Sequence, residues 1–458
     1  MELLFQLYGD PAVEGTFRTD AYICSWLQVE AALAGALADA GVVPAPLAAT
    51  IGQACRLENI DQARLWEETR VVGYPVLPLV RMVCQALPED AAAYVHWGAT
   101  TQDIMDTALA LQLRAAGQRL AVLVVSFGDA LARQVEAHRG TVMAARTHGQ
   151  QAVPTTFGAK CAVFLDQVTR DLARLQRATD AAAVVSLFGA GGTSAALGGT
   201  AAAVRTALAA RLGLHDVSVP WHVARDRLVD VGQAAALASA TAVRFAREVV
   251  DLSRTEVGEL AEADGEYRGA SSTMPQKANP ITSEAVIGLG VAAGTMAGAL
   301  LRCLEASNER AAGEWQLEWQ ALPYVLRSSA AALGLAGQLA RDLRAFPARM
   351  HDNLSLDQGL ALAEAYMMRL AGELGRDRAH AVTYQAAYQS RLRGERLEAC
   401  ISALLGEDAP AWLREPPIEP EDYLGDVDGV CTQALKVWER SRTTARDGER
   451  SSPCLPEP

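Results

Sequence analysis

Apolar and polar residues alternate with helical spacing through the middle of the chain. Between residues 226 and 262, Val243, Val250 and Val257 recur every seventh position, and Phe245, Val249, Leu252 and Leu260 flank them. Arg244, Arg247, Asp251 and Arg254 fall on the opposite side. That spacing predicts an amphipathic helix roughly 50 Å long at the usual rise per residue. Three further alanine- and leucine-rich runs, 106–139, 157–187 and 283–322, contain no proline. Both residues favour helices, and helices of such length are usually bundle elements. Upstream, residues 19–40 carry Trp26, Leu27, Val29, Ala32 and Leu33 in helical register. Downstream, Ser355 and Gln358 have the spacing of a capping box, which predicts a helix over 357–374.

Prolines divide the chain. Of 19, six lie at or before Pro88 and nine at or after Pro323, leaving only Pro154, Pro220, Pro275 and Pro280 between. The pattern predicts an all-α protein of three helical domains: 1–105, a central long-helix unit at 106–350 and a C-terminal unit at 351–441. Residues 73–78 read as a rigid connector. A proline-rich link at 410–420 leads to a short helix, and the polar tail 442–458, with three prolines, is expected to be disordered.

With 458 residues the chain is too long for one ordinary core, and half its residues are apolar. No eighteen-residue apolar stretch is free of charge, and no basic segment precedes an apolar one at the N-terminus, so neither membrane insertion nor secretion is expected. Eight cysteines without paired spacing read as reduced thiols of a cytoplasmic protein. A net charge of −13 argues against nucleic acid as a partner. The seven histidines never lie within four residues of each other. With no His-Glu-x-x-His and no glycine-rich nucleotide loop, neither a metal nor a cofactor is expected.

Three polar clusters interrupt the helical runs. In 269–280, Pro275 and Pro280 forbid a continuous helix. Ser271, Ser272, Thr273, Lys277 and Asn279 there offer hydroxyls, a positive charge and an amide to an anion. The second cluster is His96-Trp-Gly-Ala-Thr-Thr-Gln-Asp103, which by itself reads as the capped start of a helix. The third is Arg146-Thr-His-Gly-Gln-Gln151, where a lone His148 would ordinarily be a solvated loop residue.

The sequence Ser-Ser-x-Met-Pro-x-Lys-x-Asn-Pro from Ser271 to Pro280 resembles the signature loop of the aspartase/fumarase superfamily. Ala270 departs from it, because the family has glycine directly before the serines. The two other clusters, with 188–193, 220–226 and Glu309-Arg310, also resemble family patterns, so the likeness covers nearly the whole chain. It implies a five-helix bundle per subunit, a twenty-helix core in a homotetramer, and active sites each built from three subunits. Carried over residue by residue, Ser271 matches the catalytic base and His148 the general acid. Glu284, thirteen residues after Ser271, matches the carboxylate that orients the histidine. Lys277, Asn279, Thr100 and Thr101 match ligands of the substrate carboxylates. The same likeness places His96, Thr147, Gln150, Ser272, Met274 and Arg310 around the substrate, a small dicarboxylate.

Locally, 94–107, 220–222, Trp315-x-x-Glu-Trp319 and 374–380 look like the 3-carboxy-cis,cis-muconate cycloisomerase branch. That branch typically carries Trp at position 148 and His at position 151, whereas this chain has His148 and Gln151, the Thr-His-x-Gln of elimination lyases. An adenylosuccinate lyase would want a His-Asp pair near residues 70–75, where Arg70-Val-Val-Gly-Tyr-Pro75 stands. The resemblance thus implies β-elimination of a nitrogen-linked group from a substituted succinate, aspartate-like or nitrosuccinate-like, to give fumarate. The alternatives are the cycloisomerase, an adenylosuccinate lyase-like activity and an inactive structural relative.

Overall fold

The computed structural model describes residues 2–414 and 417–450, and they are overwhelmingly helical. Five long helices form the central bundle: α1 (Thr101–Ala137), α2 (Phe157–Ala182), α3 (Asp226–Leu252), α4 (Ile281–Leu300) and α5 (Glu314–Asp342). They pack along one continuous apolar core. Near its middle, Phe127 of α1 and Phe164 of α2 both pack on Phe245 of α3, with ring centroids 5.5 and 5.4 Å apart. The 37 residues of α1 span about 55 Å by their rise.

A second core joins the N-terminal helices to the bundle. Ile23, Leu27 and Leu33 of the helix Thr19–Asp39 pack there with Val204 and Leu208 of the helix Ala201–Leu212. The segment after α2 therefore shares its core with the N-terminal helices, across the boundary expected at residue 105. A third, smaller core gathers Tyr366, Leu370, Leu397 and Ile401. The last helix, α6 (Val427–Arg450), returns to the bundle. There Trp438 is buried and its indole N–H donates to Asp129 Oδ1 at 2.9 Å.

Several expected boundaries move. Helix α3 ends at Leu252, so Val257 and Leu260 lie beyond it, and Phe245, Val249 and Leu252 form the buried face. The run 283–322 is two helices, not one: α4 stops at Leu300, a 3-10 turn covers Leu301–Glu305, and Asn308 and Gly313 take positive φ before α5 begins. Pro323 lies inside α5 instead of ending a helix. The capping box at Ser355 does not form: the hydroxyl donates back to the Asp352 carbonyl, Gln358 has φ +61°, and the helix starts at Ala363. Residues 442–450, expected to be disordered, continue α6 as helix, because no proline precedes Pro453 there. Residues 451–458 lie outside the described residues.

By length and composition, three helical stretches could cross a membrane: Thr19–Asp39, Thr101–Ala137 and Ile281–Glu305. The expectation that none existed rested on scattered charges, which long alanine-rich helices dilute. In Thr101–Ala137, 67% of the most apolar window is buried inside the fold, which accounts for its composition as core.

Candidate functional site

The first cluster forms a rigid corner at the start of α1. Thr100 is the N-cap, in a capping box with Asp103. The Asp103 carboxylate is fully buried and accepts five hydrogen bonds. Oδ1 takes Ser186 Oγ (2.9 Å), the Phe188 N–H (3.0 Å) and His222 Nε2 (2.8 Å), and Oδ2 takes the N–H groups of Thr100 (3.1 Å) and Gly189 (2.9 Å). Burial pushes this carboxyl up, but His222 and the backbone donors outweigh it and hold it below its usual range. One residue thereby fixes the helix start, the loop after α2 and the 220–222 turn.

Beside it, His96 sits at φ +60° with Nδ1 2.6 Å from Glu30 Oε1. Burial lowers the imidazole's proton affinity, but the hydrogen bond and charge of Glu30, and the charge of Asp103, raise it above its ordinary value. Glu30 is buried, and its Oε2 has no partner. Arg310 joins the corner too: Nη1 donates to Gln102 Oε1 and Nη2 to the Ala190 carbonyl, both at 2.9 Å. Thr101 is half-buried at the first turn of α1.

Below this corner lies a buried ionic knot. Arg225 donates twice to Asp106 (2.7 and 2.9 Å), twice to Glu318 (2.9 and 2.6 Å) and once to the His222 carbonyl (3.5 Å). All five guanidinium N–H groups are thereby engaged. Burial leaves Glu318 raised in spite of Arg225.

The third cluster is an antiparallel hairpin that the all-helical reading did not foresee. Strand β1 (Val142–Thr147) pairs with β2 (Gln150–Thr156), and Thr147 faces Gln150 across a two-residue turn. His148 and Gly149 form that turn with φ +51° and +76°, the signs a type I′ hairpin turn requires. Thr147, His148 and Gln150 are all exposed. The base is anchored by Arg146, which grips fully buried Glu259 through two bonds (2.9 and 2.5 Å), while Asn353 Nδ2 donates to the same carboxylate at 2.7 Å. The hairpin thus presents a histidine on a firm stalk.

The signature loop is closed at its base and open at its tip. The Gly269 carbonyl accepts both the backbone N–H and the side-chain Nδ2 of Asn279 at 2.9 Å, and Ala270 pairs with Ala278. Gly269 has φ +66°, and a Cβ there would stand 2.4 Å from the Asn279 carbonyl oxygen. Ala270 is exposed and has no positive φ, so the alanine at the departing position fits. Ser271 Oγ accepts the N–H groups of Thr273 (3.3 Å) and Met274 (3.2 Å). Ser272, Met274 and Lys277 are exposed, and among the described residues the Lys277 ammonium has no partner. Asn279 keeps one side-chain N–H for a ligand. Glu262 caps the start of α4 by accepting from Thr282 and Ser283.

Glu284 stands exposed in the first turn of α4. Among the described residues, no hydrogen bond or ion pair joins it to His148, nor joins the hairpin apex to the loop or to the corner. Within one chain, Arg310 alone of the distant candidates reaches the Thr100 corner. Sequence reading missed Glu30, the hub role of Asp103, and the Arg225–Glu318 pair. Asp103, Arg225 and Glu318 each lay inside a quoted pattern (96–103, 220–226 and 315–319), whereas Glu30 had no signal.

Residues 11–294 match a family model described as lyase. Curated relatives include trans-aconitate decarboxylase 1 of Mycosarcoma maydis, 37% identical over 83% of this chain and 78% of that protein. The 3-carboxy-cis,cis-muconate cycloisomerase of Pseudomonas aeruginosa is 39% identical over 94% and 95%. The nitrosuccinate lyase of Streptomyces davaonensis is 34% identical over 94% of each. Among solved structures, the 3-carboxy-cis,cis-muconate lactonizing enzyme of Pseudomonas putida superposes with a TM-score of 0.88 at 35% identity, covering 96% of this chain and all of the other.

Proposed function

The chain belongs to the lyase family of the aspartase/fumarase superfamily, and from that membership we propose that it eliminates a nitrogen-linked group from a 2-substituted succinate to give fumarate. The observation that carries the reading is Ser271 Oγ, which receives two backbone N–H groups inside the loop that also carries Lys277. Hydrogen bonds that strengthen toward the charged form lower the cost of a serine alkoxide. In this role Ser271 removes the proton next to one carboxylate. Lys277 and the remaining Asn279 N–H stabilise the charge gathering on that carboxylate. The electron pair then forms the double bond as the carbon–nitrogen bond breaks. His148, steered by Glu284 of another subunit, gives the departing nitrogen its proton. Thr100 and Thr101 hold the second carboxylate, with His96 and Arg310 behind them. Thr147, Gln150, Ser272 and Met274 surround the substrate. No cofactor enters this scheme. A cytoplasmic homotetramer whose sites each draw on three subunits belongs to the same proposal, since among the described residues no hydrogen bond or ion pair joins the hairpin apex to the loop or to the corner.

The test is release of fumarate, followed by its absorbance, from aspartate, nitrosuccinate, argininosuccinate and adenylosuccinate, with ammonia and nitrite assayed alongside. A second reading, cycloisomerisation, is favoured by the 39% identity to a cycloisomerase. Loss of 3-carboxymuconate absorbance with no fumarate from any succinate would establish it and remove the first.

A further inference from the structure

One turn beyond the Thr100 corner lies a cavity of about 280 Å³. Met105, four residues after Thr101 on α1, lines it, and so does Asp106, which holds Gln102, the partner of Arg310. The cavity is thus joined to the corner through the Asp106–Gln102–Arg310 chain of hydrogen bonds. Its walls are aromatic. Tyr22, Trp26 and Trp66 form one chain of rings, with centroids 6.0 and 6.4 Å apart. Trp315 and Trp319 form another, 5.0 Å apart, and Tyr74 stacks on Trp315 at 5.5 Å. Four of the chain's eight tryptophans line this one cavity.

Its charge is equally distinctive. Among the described residues, no Lys, Arg or His lines it. Asp106 and Glu318 do, and both carboxyl groups are clamped by the single Arg225 between them, all of whose donors are engaged. Pro323, also on the wall, has no N–H for the Trp319 carbonyl, so that acceptor lacks its usual helical donor. Such a cavity repels phosphate, carboxylate or nitrite and favours flat apolar groups, or cations over the ring faces. Its volume, near the lower end for ligand pockets, suits a substituent better than a whole ligand.

We infer that this cavity receives the leaving group, and that the leaving group is an amine bearing an aromatic substituent. The inference rests on the elimination reading above and narrows its substrate to N-aryl or N-aralkyl aspartates. The carbon–nitrogen bond breaks as the carbon–carbon double bond forms, the proton taken by Ser271 is balanced by the one His148 supplies to the nitrogen, and fumarate and a neutral aryl- or arylalkylamine leave.

The test compares kcat/KM for fumarate release from N-benzylaspartate, aspartate, N-carboxymethylaspartate and nitrosuccinate, using the full-length assembled enzyme. N-benzylaspartate is expected to exceed both aspartate and N-carboxymethylaspartate at least tenfold. In Trp66→Leu that preference over aspartate falls at least tenfold. Should Trp66→Leu misfold by circular dichroism, Trp319→Phe with benzylamine as a product inhibitor serves instead, and weaker inhibition than in wild type is expected. Fumarate from aspartate or nitrosuccinate without preference for the benzyl compound overturns the cavity assignment and leaves the elimination reading standing. Fumarate from none of the four overturns the cavity assignment, and fumarate from none of them nor from argininosuccinate or adenylosuccinate overturns the elimination reading as well.

Discussion

Glu30 holds His96 from 66 residues away, with Oε1 2.6 Å from Nδ1 and the carboxylate out of water. Because the folded-state pKa of His96 is raised, the pair's charge contribution is fully present below the ordinary histidine value of 6.5 and is lost as pH rises through the raised value. The Tm deficit of Glu30→Gln relative to wild type is therefore expected to be largest near about pH 6 and to shrink toward about pH 9. A deficit independent of pH would mean that Glu30 contributes packing and not charge.

Asp103→Asn should be among the most damaging single changes. It leaves His222 and four further donors facing a weaker acceptor that brings N–H groups of its own. Breaking a buried charged network of this kind costs about 3–5 kcal/mol. Chemical denaturation at neutral pH measures the loss. The depressed pKa also means that wild type keeps this contribution above the ordinary aspartate value of 3.8 and loses it as pH falls through the lower folded value.

Ser271→Ala should lower kcat by about a hundredfold or more while leaving Tm nearly unchanged, since the hydroxyl contacts only its own loop. Stopped-flow and thermal melts on the same preparation separate the two. Substantial remaining turnover would remove Ser271 as the base.

His148→Asn keeps a residue that tolerates positive φ at the hairpin apex and removes the proton donor. For an amine leaving group the expected loss in kcat is again about a hundredfold. For nitrite, already a stable anion, it is within a few-fold. Equal losses for both would mean that His148 binds substrate instead of protonating the product.

Mixing these two inactive variants offers a geometric check. If each site draws on several chains, reassembled tetramers of Ser271→Ala and His148→Asn contain some sites with both groups intact, and activity returns. Sedimentation should show tetramers throughout. No recovery in mixed tetramers would place both residues in one chain's site.

The long helices and the signature loop were legible because each depends on local sequence: alanine-rich periodicity and a fixed spacing of small polar residues. What escaped depends on contacts across the chain. Glu30 reads as a solvated charge on an alanine-rich helix, and nothing near it announces His96. The hairpin carrying His148 was hidden by its irregular alternation, with a register shift between Ala145 and Arg146 that turns the arginine toward Glu259. The break between α4 and α5 was missed because Asn308 and Gly313 turn the chain without a proline. Conversely, Pro323 suggested a boundary that the helix passes through. The candidate carboxylate ligands were chosen by residue type alone, whereas the backbone donors to Ser271 could not be read, since they exist only once the loop closes on Asn279.

The saturation of Arg225 has a consequence for how this scaffold can diversify. A guanidinium with no donor left cannot respond to a newcomer, and removing it would strand two carboxylates in the interior. The floor is therefore a fixed inheritance, shared by any substrate the chain could come to accept. Change has to come through the rings above it, where one tryptophan exchanged for a smaller or basic side chain redraws the space without touching the ionic knot below.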